Sequence, residues 1–195
     1  MSNIANAIQD KLETDFIEQS FPVWTKHGVK DEDVFIHSIG CSVWNTLGHE
    51  LGYMAIVEGP APAASGNDIR SDSVWIDKVN NEPLVLIEFE RYDGTPKGKS
   101  KLVEKLINLM EAALRWEDKP VLLVLSAWSP GLVSAPDFDE LESIFIKGVH
   151  NSKGTFISRP ENCGLLLQRM VFEPHIDGLL CLKHKTYRTL AKVGI

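Results

Sequence analysis

Apolar residues recur every three to four positions in four stretches of the chain. That spacing places them on one face of a helix, where they can be buried together. The predicted helices cover residues 3–18, 31–51, 98–116 and 137–148. A further helix, exposed on most of its surface, is expected for the C-terminal stretch 182–195.

Five other stretches have the short, apolar or alternating pattern of β-strands. Residues 120–128 are apolar throughout, which is typical of a strand buried on both faces of a sheet. Between the second and third strands, Asn80 and Asn81 have the turn chemistry of a hairpin. The predicted strands cover residues 53–58, 71–77, 83–91, 120–128 and 165–173.

From the second helix onward, this order of elements is α-β-β-β-α-β, followed by one more helix and strand. It predicts an α/β fold with a central mixed sheet flanked by helices. A chain of 195 residues, 44% of them hydrophobic and 24% charged, has the length and composition of one folded domain. We therefore expect a single domain over residues 1–195. Its core is expected at 31–128, with an N-terminal helical segment at 1–30 and additions at 129–195.

The sequence contains no apolar run of 18 residues and no signal-peptide pattern at its N-terminus. Its three cysteines are far apart, and no pair has the spacing of a cysteine zinc site. These features predict a cytoplasmic protein with no membrane partner.

The net charge of −7 disfavours a nucleic-acid partner if it is taken as an average over the chain. Basic residues are nevertheless concentrated in two places, one of them within residues 183–195. Such concentration is compatible with a local phosphate-binding face, although solvated helix faces would give the same pattern. The other concentration, whose only acid is Glu104, consists of Lys97, Lys99, Lys101 and Lys105.

The most informative residues are three acids in the predicted hairpin. Alternation along the strand at 83–91 places Glu88 and Glu90 on one face, at the end of a run that is apolar on both faces. If the hairpin turns at Asn80 and Asn81, Asp72 lies across from about Phe89, beside both glutamates. Buried carboxylates are costly unless a positive charge meets them, and Mg²⁺ or Mn²⁺ prefers such oxygen ligands. In the simpler alternative, the glutamates mark where the strand leaves the core, and Arg91 or a lysine pairs with them.

These residues resemble the PD-(D/E)XK nuclease superfamily, which has the restriction-endonuclease-like fold. The resemblance covers about residues 31–128, where "DIRSDSVWID" (68–77) is similar to the Asp-bearing strand and "LVLIEFER" (84–91) to the Glu-x-Lys strand. It implies that Asp72 and Glu88 bind the metal. Glu90 stands where the superfamily usually has lysine, as in Glu-x-Glu members.

The resemblance also implies roles for neighbouring residues. Glu50 in "LGHELGY" matches a helix glutamate that many members use as a metal ligand. The missing lysine would be replaced by a second metal at Glu90, or by Lys99 or Lys101 from the next helix. The four lysines between 97 and 105 would bind nucleic acid. The implied function is Mg²⁺- or Mn²⁺-dependent hydrolysis of phosphodiester bonds in DNA, with a homodimer as the form that would cut both strands.

Two alternatives stay open. The chain could be a catalytically silent protein on the nuclease fold, serving as a binding or scaffold subunit of a larger complex. It could also bind nucleotides, since "YDGTPKGKSKL" lies between a strand and a helix. A Walker loop, however, needs glycine where Asp93 stands, and glycine follows only at Gly94.

Overall fold

The computed structural model describes residues 2–30, 33–63 and 68–190. The first two residues of the predicted helix 31–51 and the last five of the basic stretch 183–195 lie outside the described residues. The α-helices are α1 Ser2–Glu13, α2 Phe16–Ser20, α3 Asp33–Glu50, α4 Pro96–Arg115 and α5 Phe138–Lys147. Within the described ranges, none of these helices has the length and apolar character needed to cross a membrane.

The described residues also form eight β-strands. Six of them form one sheet, and two short ones form a separate hairpin. The strands are β1 Met54–Pro60, β2 Arg70–Ile76, β3 Pro83–Arg91, β4 Leu122–Pro130, β5 Val149–His150, β6 Phe156–Ile157, β7 Gly164–Pro174 and β8 Leu180–Leu190.

The large sheet is mixed, and its strands lie in the order β1-β2-β3-β4-β7-β8. Strands β3, β4 and β7 run parallel to one another, whereas every other neighbouring pair is antiparallel. The three parallel strands are buried along almost their whole length, because helices cover both faces of the sheet. The predicted α/β class and the central mixed sheet flanked by helices are confirmed.

Each face of the sheet has its own apolar core. On one face, α1, α2 and α3 cover an aromatic cluster in which Trp24 packs against Phe89 and Phe172. On the other face, α4 and α5 cover the aliphatic residues of β4 and β7. The apolar residues that share one face of the predicted helix 98–116 are all buried, namely Leu102, Leu106, Leu109, Met110 and Ala113. The sheet is therefore a layer between two groups of helices.

Local side-chain chemistry determines where two of the predicted helices begin or end. The Thr14 side chain donates to the carbonyl of Lys11 and accepts the Phe16 N–H, so residues 3–18 form two helices rather than one. Thr95 caps α4 by accepting the Gly98 N–H, and Pro96 occupies the first turn, where a missing N–H costs nothing.

The predicted exposed helix at 182–195 is wrong for the described part of that segment. Residues 180–190 form β8, which pairs with β7 along its length. Lys185 and Tyr187 are partly buried, whereas Thr186 and Arg188 are exposed, as expected for an alternating strand. Several basic residues of this segment are paired, since Lys185 contacts Glu13 and Arg188 contacts Asp139 and Glu142.

Candidate functional site

Three carboxylates lie at the carboxyl end of β3, inside the protein. Asp72, Glu88 and Glu90 are 6%, 1% and 4% exposed, respectively. Glu88 and Glu90 belong to a strand that pairs in parallel with β4, with Glu88 opposite Leu125 and Glu90 opposite Ala127. Acidic side chains are rarely buried to this degree without a partner, so their surroundings are informative.

The hairpin of β2 and β3 positions Asp72. Its turn is closed by the Asn81 N–H, which bonds to the Asp77 carbonyl, and Asn81 has a φ of 55°. Backbone pairing runs from this turn to Ser73 and Ile87 and ends there. Beyond that point the Phe89 N–H donates to Asp72 Oδ2 at 2.7 Å. The Asp72 carboxylate thus takes the place of a backbone carbonyl, and it lies beside Phe89 as predicted.

The positive partners of the two glutamates come from α4. Lys105 Nζ lies 2.8 Å from Glu88 Oε2 and 4.0 Å from Glu90 Oε2. Lys101 Nζ lies 2.7 Å from Glu90 Oε1. Lysines four residues apart project from the same face of a helix, so one helix supplies both ammonium groups. In the absence of a metal these two lysines supply the compensating charge, as in the simpler alternative considered for the sequence.

The other residues predicted for the site lie elsewhere. Lys99 lines a small cavity beside Tyr92 and Leu141, on a different flank of α4 from Lys101. Lys97 is exposed at the N-terminal end of α4. Glu50 ends α3 and pairs with Lys11 at 2.7 Å. His37, on the same helix, contacts Asp72. Glu50 lies 13 residues beyond His37, which is about 20 Å along the helix axis. The geometry therefore does not bring Glu50 or Lys99 to the carboxylates.

Burial and neighbouring groups shift the pKa values of Glu88 and Asp72 in opposite directions. Burial raises the pKa of Glu88 to about 8, and the negative charge of Asp72 acts in the same direction. Burial also raises the pKa of Asp72, but the hydrogen bonds from His37 and the Phe89 N–H outweigh it and leave that pKa below its usual value. The pKa of Lys105 is raised by Glu88, despite the opposing effect of burial. Burial and Asp72 thus favour the protonated form of Glu88 and the Lys105 ammonium group opposes them, whereas Asp72 is held as a carboxylate.

Two residues that the sequence did not single out also reach Asp72. His37 and Cys41 lie one turn apart on α3, with Cys41 Sγ 3.5 Å from His37 Nδ1. His37 Nε2 lies 3.5 Å from Asp72 Oδ2. The pKa of His37 is raised to about 10, first by its hydrogen bond to Asp72 and then by Cys41. The four-residue spacing of His37 and Cys41 is the one local signal that points to them.

The possible metal ligands differ in how closely they are gathered. In the described ranges, one group of three His, Cys, Asp or Glu residues has its ligand atoms within 4.8 Å of one another, namely His37, Cys41 and Asp72. The oxygens of Asp72, Glu88 and Glu90 are more widely spaced, with Lys105 beside both glutamates. Their donors are all carboxylate oxygens, the ligand type that suits Mg²⁺ or Mn²⁺, and the position beside Glu88 is held by Lys105 Nζ.

The loop before α4 does not have the open backbone of a phosphate-binding loop. Asp93 Oδ1 accepts bonds from both the N–H and the hydroxyl of Thr95. Thr95 in turn accepts the Gly98 N–H, and a Cβ at Gly98 would lie 2.5 Å from Asp93 Oδ1. Side chains of the loop thus occupy the donors that a phosphate would need. This arrangement disfavours the nucleotide-binding alternative.

Comparison of the chain with protein-family models, with curated protein sequences and with solved structures found no match. The candidate function therefore depends on the residues of the site and on their chemistry.

Proposed function

We propose that this chain is a metal-dependent nuclease that hydrolyses phosphodiester bonds in DNA, with Mg²⁺ or Mn²⁺ as its cofactor. One observation carries the proposal, namely that three buried carboxylates and two lysines meet at the carboxyl end of β3. Asp72, Glu88 and Glu90 are the metal ligands in this proposal. The α-β-β-β-α-β order of the elements around them agrees with the resemblance to the PD-(D/E)XK superfamily.

The residues of the site match the demands of phosphodiester hydrolysis. A divalent cation at the carboxylates supplies charge neutralisation for the phosphate and lowers the pKa of bound water. Lys105 and Lys101 place two ammonium groups on the same side of the sheet, where they can contact the non-bridging phosphate oxygens. Lys105 and Lys101 therefore assume the role of the lysine that Glu90 replaces in the Glu-x-Lys motif.

The exposed start of α4 is the part of the surface suited to the DNA backbone. Lys97, Lys101 and Lys105 are spaced four apart and therefore form one stripe along the helix. The stripe runs from an exposed lysine to the half-buried Lys105 beside Glu88. A phosphate backbone following it would be led to the carboxylates, and the local positive charge would offset the acidity of the whole chain.

A catalytically silent subunit on the same fold is the second candidate function. The observation in its favour is the ion pairing of Lys105 with Glu88 and of Lys101 with Glu90. Paired in this way, both glutamates have a structural reason to be buried without any metal. The chain would then act through a protein or nucleic-acid partner rather than through chemistry.

Cleavage of DNA distinguishes the two candidates. Supercoiled, linear and single-stranded DNA, and RNA for comparison, are incubated with the protein in Mg²⁺, Mn²⁺ or EDTA. We expect cleavage of DNA that requires the metal and falls more than about 100-fold in Asp72→Asn and Glu88→Gln. Lys105→Met is expected to lose activity to a similar extent. Glu50→Gln is the matched control and should retain full activity, because Glu50 pairs with Lys11 away from the site.

Failure of the folded wild-type protein to cleave any of these substrates would overturn the proposal in favour of the silent subunit. Metal-dependent cleavage that persists unchanged in Asp72→Asn and Glu88→Gln would place the activity outside this site. Circular dichroism and thermal melting of each variant separate loss of chemistry from loss of folding.

A further inference from the structure

The N-terminal half of α3 lies unusually close to the sheet. At Gly40, a Cβ would be 2.0 Å from the Phe89 ring, so only glycine permits this approach. His37 and Cys41, on either side of Gly40, are carried toward the sheet with it. His37 Nε2 lies 3.5 Å from Asp72 Oδ2, and Cys41 Sγ lies 3.5 Å from His37 Nδ1.

We infer that His37, Cys41 and Asp72 form a binding site for a transition-metal ion of the Zn²⁺ type. One nitrogen, one sulfur and one carboxylate oxygen lie within 4.8 Å of one another. Ligands of a tetrahedral Zn²⁺ ion, at bond lengths of about 2.0–2.3 Å, are about 3.3–3.7 Å apart, so the three atoms must approach one another by about 1 Å. Cys41 and Asp72 contact different ring nitrogens of His37, so the imidazole must also turn to present one nitrogen to the ion. Three protein ligands leave the fourth position to water.

The ligand set selects against the hard cations proposed for the neighbouring carboxylates. A thiolate is a soft ligand that Mg²⁺ avoids and Zn²⁺ or Co²⁺ accepts. Two ligands one turn apart on a helix also form a preorganised pair, since a rigid backbone holds both. Cys41 and Asp72 are each 6% exposed, whereas the His37 side chain is 35% exposed, so the site is reached by solvent from the His37 side.

Asp72 links this site to the carboxylate site. Its Oδ2 atom contacts His37, and its negative charge also acts on Glu88 at the end of β3. If the Asp72 carboxylate binds Zn²⁺ together with His37, it is no longer placed to bind a cation at Glu88. Occupation of the two sites is therefore expected to be competitive. The site at His37 and Cys41 itself does not depend on whether the chain cleaves DNA.

Titration of the metal-free protein with Co²⁺ tests the inference, because cobalt reports its ligands by absorption. We expect a sulfur-to-cobalt charge-transfer band and visible bands of a four-coordinate ion, all abolished by one equivalent of Zn²⁺. The charge-transfer band should be lost in Cys41→Ser. The affinity for Zn²⁺ should fall more than about 100-fold in both Cys41→Ser and His37→Gln, as for loss of a direct ligand.

Matched variants make the result specific. Cys163 and Cys181 are also buried, so Cys181→Ser should retain the band and Cys163→Ser should do the same. Glu88→Gln should retain the cobalt spectrum even if it abolishes DNA cleavage, which separates failure of this site from failure of the nuclease proposal. Absence of the charge-transfer band in the folded wild type, or its persistence in folded Cys41→Ser, would overturn the inference.

Discussion

Glu88 is the residue whose environment is most at odds with its chemistry. It is 1% exposed and has a negative neighbour in Asp72, yet within the described part of the chain Lys105 alone offers it a cation at hydrogen-bonding distance. Its raised pKa means that the native protein holds a proton that the unfolded chain releases. Burying this carboxyl therefore costs stability whenever the solution pH favours its ionised form.

That cost predicts a pH dependence of folding in metal-free protein. Between pH 4.5, the usual pKa of the glutamate, and about 8, its pKa in the fold, the native state binds the extra proton. The contribution of Glu88 to the free energy of unfolding is complete below this window and falls through it, by at most about 1.4 kcal/mol per pH unit. Glu88→Gln should lack this loss.

Urea denaturation of wild type and Glu88→Gln, in EDTA at several pH values, measures the difference. The variant should gain stability relative to wild type as the pH rises from 4.5 to about 8, and the difference should be constant outside that window. Comparing the two proteins cancels the titration of groups such as His37. A difference independent of pH would contradict the raised pKa.

At the scale of single residues, the sequence contains part of the site. Asp72, Glu88 and Glu90 could be predicted because strand alternation and a hairpin turn are local patterns. Lys105 was predicted only as a nucleic-acid contact, since its pairing with Glu88 depends on how α4 crosses the sheet. His37 and Cys41 were missed for the same reason. The contact of His37 with Asp72 joins positions more than 30 residues apart.

Among the elements, α3 depends most on close packing against its neighbours. Gly40 and Gly48 both face side chains at distances that leave no room for a Cβ, at Phe89 and Trp75, respectively. A helix interior normally disfavours glycine by up to about 1 kcal/mol relative to alanine. In α3 the close approach that these glycines permit outweighs that preference.

Gly40→Ala is accordingly expected to destabilise the protein, although alanine is the better helix former. The added Cβ would lie 2.0 Å from Phe89, an aromatic ring that is held between Trp24 and Trp128 and cannot move freely. We expect a loss of about 1–3 kcal/mol in the free energy of unfolding, typical of overpacking. Chemical denaturation measures it.

Ser42→Ala is the control for this substitution. Ser42 is exposed on the same helix, and its hydroxyl bonds only to the Ser38 carbonyl, so the change should stay within about 0.5 kcal/mol. An equal or greater stability of Gly40→Ala compared with wild type would show that α3 does not lie against Phe89. The same variant should weaken Co²⁺ binding, because it moves His37 and Cys41 away from Asp72.

Most helices and strands can be predicted from the sequence, and each wrong prediction has a physical cause. Strand β3 has the predicted bounds, and α4 begins two residues before its prediction. The helix predicted at 3–18 is divided because the Thr14 side chain competes for backbone groups, which apolar periodicity does not detect. Strand β8 was missed because its basic and polar residues lack the apolar pattern of a strand.

For the molecule as a whole, β8 completes the sheet and connects it to the N-terminal helices. Leu180 pairs with Val29, and Gln9 of α1 donates to Thr189. Leu182 lies in the aromatic core on the face covered by α1 to α3. The parallel arrangement of β3, β4 and β7 is also a property of the whole chain, because it joins residues that no local pattern relates.

A pair of neighbouring substitutions tests this role of β8. Leu182→Asp places a charge in the core and should cost about 3 kcal/mol or more of unfolding free energy. Lys183→Asp, one position along, changes an exposed residue and should stay within about 0.5 kcal/mol. Thermal melting of the two proteins measures the contrast. Similar losses in both would contradict the burial of Leu182 and the exposure of Lys183 at the irregularity of this strand.

The position of β4 at the centre of the sheet has a consequence for how the protein is made. Each of its parallel neighbours is reached by a long crossover, through α4 on one side and through residues 131–163 on the other. During synthesis on the ribosome, one edge of β4 stays unpaired until β7 emerges. The outer edge of β7 then stays unpaired until residues 180–190 follow. Such distant pairings form slowly, and a nascent chain that ends between them exposes an apolar edge strand. The protein is thus expected to need protection from aggregation until its last strand has been synthesised.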